Sequence, residues 1–269
     1  MQIILSAPNF NIFENDGQDL FARTGSVSIE LLHNAGAQGV IFGHSEVGDS
    51  SETINQKLLT LQSRRKLLGP DCLKHSTILI GETWEEYYQL PHSEVAKNVV
   101  NRAEMIFSGV DGSLVQGIFV GYEPKWGTRG SGQSGAEPAS VELVDTCNKA
   151  INKFLSEKYG LEVAGSIKYI FGGMTTPERA ESLIKLDSVD GLILGSATNT
   201  VAKFKDIARA MKTGAPDKLK IMHVNMKAFN RADSDEQFVE AMRNLDSTFQ
   251  IVVSPPLTDI YKFSTLINR

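Results

Sequence analysis

The sequence predicts an α/β fold of the (β/α)8 barrel type, in one domain spanning all 269 residues. Two observations carry that expectation. Eight short apolar runs, rich in β-branched and aromatic residues, each precede a longer stretch of helical periodicity. In addition, most of the apolar runs end in residues that carry chemistry or in glycine. A parallel barrel collects such residues at one rim, because its functional groups sit where strands end and loops begin. Eight strand–helix units in one chain favour the closed barrel over an open, doubly wound sheet.

The strands are expected at Ile3–Ala7, Gly39–Phe42, Thr77–Ile80, Ile118–Tyr122, Ile167–Phe171, Gly191–Leu194, Ile221–Val224 and Phe249–Val253. Helices are expected near 26–35, 51–67, 93–108, 138–158, 177–185, 201–212, 234–245 and 257–267. Two helix starts are chemically explicit. Thr176-Pro177-Glu178 sets a cap before a proline at the first helical position. Ser234 with Gln237 three residues later is a capping-box pattern. One stretch, Thr213-Gly214-Ala215-Pro216-Asp217, reads as a linker between the sixth and seventh units.

Bulk properties narrow the function. The hydrophobic share of 41% suffices for a sizeable core, and the net charge is −5. With a sequence pI near 5.6, a general nucleic-acid surface is not expected. Any anionic ligand must then be held by local positive potential. Cys72 and Cys147 are too few for a disulfide framework and fit a reducing, cytoplasmic setting. Met1-Gln2-Ile3-Ile4-Leu5 is apolar but short and lacks a basic lead, so no secretory signal is expected. No apolar run approaches the roughly 18 residues of a membrane helix.

The rim can be read strand by strand. The first strand ends in Pro8-Asn9 and the second in Gly43-His44-Ser45-Glu46. The third ends in Gly81-Glu82. The fourth delivers Glu123, followed at once by Pro124, which cannot donate to a sheet ladder. A flexible stretch with Gly127, Gly130, Gly132 and Gly135 comes next, long enough to act as a lid. The fifth strand ends in Gly172-Gly173-Met174-Thr175 and the sixth in Gly195-Ser196. The seventh ends in Asn225-Met226-Lys227 and the eighth in Ser254-Pro255-Pro256. The acids and histidines lack metal-ligand spacing. His33, His75, His92 and His223 have no motif context and read as structural or surface residues.

These pieces, taken together, resemble the triosephosphate isomerase family. Gly43-His44-Ser45-Glu46 is similar to its histidine motif, and Tyr122-Glu123-Pro124-Lys125-Trp126 to its base-and-lid motif. Gly172-Gly173 and Gly195-Ser196 resemble its two phosphate turns, and Asn225-Met226-Lys227 its Asn-x-Lys motif. The order differs. In the family the Asn-x-Lys strand comes first, whereas here it is seventh. The chain therefore resembles a circularly permuted member, opened between the family's second helix and third strand. Lys212–Lys218 would then join the family's usual ends.

The resemblance implies an isomerase of glycolysis and gluconeogenesis that interconverts dihydroxyacetone phosphate and glyceraldehyde 3-phosphate. It implies Glu123 as the base, His44 as the neutral group that polarises the carbonyl, and Lys227 as a fixed positive charge with Asn225 beside it. Glu46 would pair with Lys227. Backbone N–H groups at Gly130, Gly173, Met174, Gly195 and Ser196 would hold the phosphate. A homodimer is implied, and neither a metal nor a cofactor is called for. The plain alternatives are a surface acid at Glu123, a structural histidine at His44, a solvated lysine at Lys227 and tight turns at the glycines.

Several positions depart from the family pattern. Met174 stands where the family has a phosphate-binding serine, with Thr175 as a substitute hydroxyl, and Ser196 replaces a glycine. Val47-Gly48 replaces a basic pair, and Pro8 a glutamine. The lid, Gly127–Glu137, and the segment Asn9–Gly25, whose Thr24-Gly25 matches the intersubunit loop, are longer. Three other functions stay open at this point. One is an isomerase of a four-carbon ketose phosphate, one a Schiff-base aldolase using Lys227, and one a barrel that only binds a ligand.

Overall fold

A computed structural model describes residues 3–12, 26–127, 137–227 and 232–269. Eight strands run as β1 (Ile3–Ala7), β2 (Gly39–Phe42), β3 (Thr77–Ile80), β4 (Phe119–Tyr122), β5 (Lys168–Gly172), β6 (Gly191–Leu194), β7 (Lys220–Asn225) and β8 (Phe249–Ser254). Each pairs in parallel with the next, and β8 pairs in parallel with β1, closing a barrel. Parallel neighbours need crossovers, and helices supply them.

The helices are α1 (Ile29–Asn34), α2 (Ser51–Leu68), α3 (Trp84–Gln89), α4 (His92–Ile106), α5 (Gly112–Val115), α6 (Val141–Tyr159), α7 (Leu161–Ser166), α8 (Pro177–Ile184), α9 (Val201–Gly214), α10 (Asp235–Arg243) and α11 (Ile260–Ile267). Seven of them (α1, α2, α3, α6, α8, α9 and α10) start on side-chain caps that satisfy otherwise orphaned N–H groups. Thr176 caps α8 with Pro177 in its first turn, and Ser234 with Gln237 forms the expected capping box on α10. A second capping box, Thr83 with Glu86, starts α3.

Alternation along each strand builds two cores. Ile4, Ile41, Leu79, Phe119, Ile170, Ile193, Ile221 and Val252, one from each strand, form a separate buried cluster that fills the lumen. Residues of opposite parity, such as Phe42, Val120, Phe171 and Val253, belong to the larger core shared with the helices. Each such side chain contributes about 1.5–3 kcal/mol when fully buried. An acid in place of Ile170 would leave an unpaired charge in the lumen plug.

Three details differ from the sequence expectation. α3, α5 and α7 are short helices that the hydrophobic period did not mark. Thr213 and Gly214 continue α9, so the connection to β7 is shorter than the expected linker. That connection is fastened from below: buried Lys220 donates from Nζ to Ala215 O at 2.7 Å, and Lys218 donates to Leu186 O at 2.8 Å. Finally, residues 257–259 form a 3-10 turn ahead of α11.

Candidate active site

The strand ends do converge. Glu123 follows β4, and its N–H donates to Ile80 O on β3 at 2.9 Å, so the neighbouring strand fixes its backbone. Its side chain is 5% exposed. Oε2 accepts the Ser45 N–H at 3.0 Å, and Oε1 lies 3.8 Å from His44 Nε2. The carboxylate is thus tethered at one oxygen and presents the other to the imidazole.

His44 sits just beyond β2 and is also buried. Its Nδ1 accepts the Glu46 N–H at 3.1 Å. An amide can only donate, so Nδ1 is unprotonated here. The imidazole is therefore neutral, with its hydrogen on Nε2, the atom that faces Glu123.

β7 brings the cation. Asn225 is its last residue and is buried. The next residue but one, Lys227, has φ of 48°, an uncommon conformation for a side-chain-bearing residue. Its N–H donates to Asn225 Oδ1 at 3.2 Å, which braces the turn. Its ammonium pairs with Glu46, as the family resemblance implied. Gly195 leaves room beside it: a β-carbon there would lie 3.4 Å from Lys227 Cε.

One cavity of about 700 Å³ is lined by His44, Glu46, Glu123, Gly173, Met174, Gly195, Ser196, Asn225 and Lys227. Those are all the expected site residues except Gly130, which lies outside the described residues, as do Thr24, Gly25 and most of the lid. Lys203, Asp206 and Ile207 of α9 line the same cavity. Not every expected anion donor is open. The Met174 N–H donates to Gly127 O at 3.0 Å, and the Thr175 hydroxyl donates to Gly173 O at 3.3 Å.

Sequence reasoning placed Glu82 at the rim without a role. It is fully buried, and its Oε1 accepts from Tyr122 Oη at 2.9 Å and Trp126 Nε1 at 2.8 Å. Burial pushes its carboxyl above the usual range, against the pull of those two donors. Tyr87 stacks on Trp126, with ring centroids 3.9 Å apart. The root of the lid is thereby anchored. Arg179 was missed altogether; it donates to Met174 O at 3.2 Å and Ala139 O at 2.6 Å, tying the turn after β5 to the chain just ahead of α6. Proline at 177 marked the helix but gave no sign of this clamp.

A buried carboxylate, a neutral imidazole, an asparagine amide and a paired ammonium around one cavity can move a proton between carbons beside a polarised carbonyl. Among the described residues no group of His, Cys, Asp or Glu is arranged to hold a metal ion. None of their helices is long and apolar enough to cross a membrane.

Comparison with known proteins shows the family. A triosephosphate isomerase family model matches residues 13–211. The triosephosphate isomerase of Treponema pallidum (strain Nichols) is 33% identical over 195 residues, covering 71% of this chain and 72% of that protein. Those of Phocaeicola vulgatus and Mycoplasmoides gallisepticum are 32% identical over 191 residues and 30% identical over 193, each covering 70–71% of both chains. With its closed eight-stranded barrel and a match over most of its length, the chain belongs to the triosephosphate isomerase family.

Proposed function

We propose that the chain is an intramolecular aldose–ketose isomerase that interconverts dihydroxyacetone phosphate and glyceraldehyde 3-phosphate through an enediol or enediolate. The observation that carries this reading is the convergence of Glu123, neutral His44 and the Lys227–Glu46 pair on one cavity. The roles follow the family pattern and are not deduced from distances alone. Glu123 takes a proton from the carbon beside the carbonyl and returns it to the next carbon. His44, with its hydrogen on Nε2, polarises the carbonyl and moves a proton between the oxygens. Lys227 and Asn225 meet the anionic substrate and the charge that develops in the transition state, where preorganised groups act most strongly. The amides of Gly173, Gly195 and Ser196, which line the same cavity, hold the phosphate.

The ion pair with Glu46 suits Lys227 to a fixed charge rather than to the free amine a Schiff base needs, which weighs against an aldolase. A four-carbon ketose phosphate remains the second reading. It is favoured by Met174 in the phosphate turn and by the cavity's reach to Lys203 and Ile207. Assaying both substrates with the purified protein separates the two, and a clear preference for the longer one would overturn the first. Glu123→Gln is expected to lower kcat about 10²–10⁴-fold.

The permuted order belongs to the same proposal. The family match stops at residue 211, while β7 and β8, with Asn225 and Lys227, complete the barrel. Reading these strands as the family's first two makes residues 212–218, the first of which continue α9, the join between its usual ends. A single-domain homodimer in the cytoplasm completes the proposal. Sedimentation equilibrium would test the dimer.

A further inference from the structure

Beneath the rim lies a polar layer that the proposed reaction does not use. Leu79, Ile221 and Val252 face the lumen, and strand alternation turns Thr77, His223 and Ser254 inward with them. All three are fully buried. His223 Nε2 shares a hydrogen bond with Ser254 Oγ at 2.8 Å, and Nδ1 shares one with Thr77 Oγ1 at 3.2 Å. β3 and β7 lie on opposite sides of the ring, so the imidazole spans the lumen from wall to wall. An apolar side chain would fill this space without desolvating two ring nitrogens, as the plug itself shows. Space filling alone therefore does not account for a histidine here.

The connection upward is through Ser254. Its position pairs with Asn225 in the β7–β8 register, and its carbonyl accepts the Met226 N–H at 2.8 Å. Met226 is the residue between Asn225 and Lys227. A lysine with positive φ persists only where its surroundings over-determine it. Ser254 supplies that constraint from one side, and His223 holds Ser254. The geometry points to His223 as a positioning residue: through Ser254 it fixes the Asn225–Lys227 turn, and so the place where the Lys227 ammonium meets the anionic group of the substrate. The inference rests on the isomerase reading for its kinetic readout, but not for its binding readout.

The test uses the full chain with His223→Leu, Ser254→Ala, the double variant and His223→Gln, which retains one donor and one acceptor. Four quantities are measured: KM and kcat for dihydroxyacetone phosphate, the Kd of inorganic phosphate by calorimetry, and the thermal midpoint. His223→Leu and Ser254→Ala are each expected to raise KM and the phosphate Kd about tenfold, equivalent to ~1.4 kcal/mol. The double variant should lose no more than either single one, because both act through one path. His223→Gln should recover most of the loss. A histidine that merely supports the fold would lower the midpoint while KM and Kd stay within about twofold of the unaltered chain, and that result overturns the proposal. Should His223→Leu not fold, Ser254→Ala, which removes a single atom, decides by the same criterion. If the unaltered chain turns over no triose phosphate, the isomerase reading fails, yet phosphate affinity still decides: weakened in the variants, it supports positioning, and unchanged, it refutes it. An unaltered chain that neither turns over substrate nor binds phosphate overturns both.

Discussion

Gly172 leaves the space that Glu123 uses: a β-carbon at Gly172 would lie 3.1 Å from Glu123 Oε1 and 2.7 Å from Ile193 Cγ2. The Glu123 carboxylate is thus positioned by an absence on β5 as well as by the Ser45 amide. Gly172→Ala would press on the oxygen that faces His44. Misplacing a reacting group by about 1 Å can cost up to 10²-fold in rate. The expected outcome is a kcat lowered roughly 10–100-fold with a folded barrel. Circular dichroism and steady-state kinetics on the same preparation check it. Unchanged turnover would show that the Glu123 carboxylate relaxes freely.

Glu82 holds the root of the lid through Tyr122 and Trp126. Glu82→Leu keeps most of the volume but removes the acceptor that Tyr122 Oη and Trp126 Nε1 share. Each orphaned donor costs about 1–3 kcal/mol. A loss of roughly 2–4 kcal/mol in unfolding free energy is expected, measured by urea denaturation. A variant as stable as the parent would mean that Tyr122 and Trp126 find other partners.

The strands were legible in the sequence because a buried parallel sheet writes near-continuous apolar runs. Their ends moved by a residue or two at most, and Glu123, His44 and Lys227 fell at one rim as the strand-end rule requires. The short helices α3, α5 and α7 were not legible, since one or two turns give too little periodicity to count. His223 carried a readable sign that was not used. It lies two residues before Asn225 and two after Ile221, so alternation alone places it in the lumen. Its partner Thr77 was out of reach, because a contact 146 residues apart across a barrel leaves no local trace. Arg179 was hidden for the same reason: its acceptors are carbonyls, which any residue supplies.

Lys57 on α2 is buried, donating to Asp49 Oδ2 at 2.5 Å and to Asn9 Oδ1 at 2.9 Å. This pair ties the chain after β1 to the segment that follows the His44 motif. Breaking a buried pair by removing one partner leaves an uncompensated charge and costs about 3–5 kcal/mol, whereas replacing both with apolar groups is often near neutral. Asp49→Ala is therefore expected to destabilise more than Asp49→Leu combined with Lys57→Met. Denaturant midpoints of the three chains test the order. A double variant no more stable than Asp49→Ala would sink the idea.

His223 also makes the fold sensitive to acid. Burial, with a smaller contribution from His44, lowers its pKa to about 3 from the usual 6.5. Its hydrogen-bonding partners Thr77 and Ser254 are neutral hydroxyls. The sign follows from proton uptake. Between pH 6.5 and 3 the unfolded chain binds a proton at this site and the folded chain does not, so stability falls as pH falls. The contribution is fully present above pH 6.5 and exhausted near pH 3, and it is on the order of 5 kcal/mol. Carboxylates titrate over part of the same range, so the informative quantity is a difference between two chains. The gap in unfolding free energy between the unaltered protein and His223→Leu is expected to shift by a few kcal/mol from pH 7 to pH 4, in the direction that favours the variant in acid. Parallel pH profiles would show that the imidazole is protonated at little cost inside the barrel.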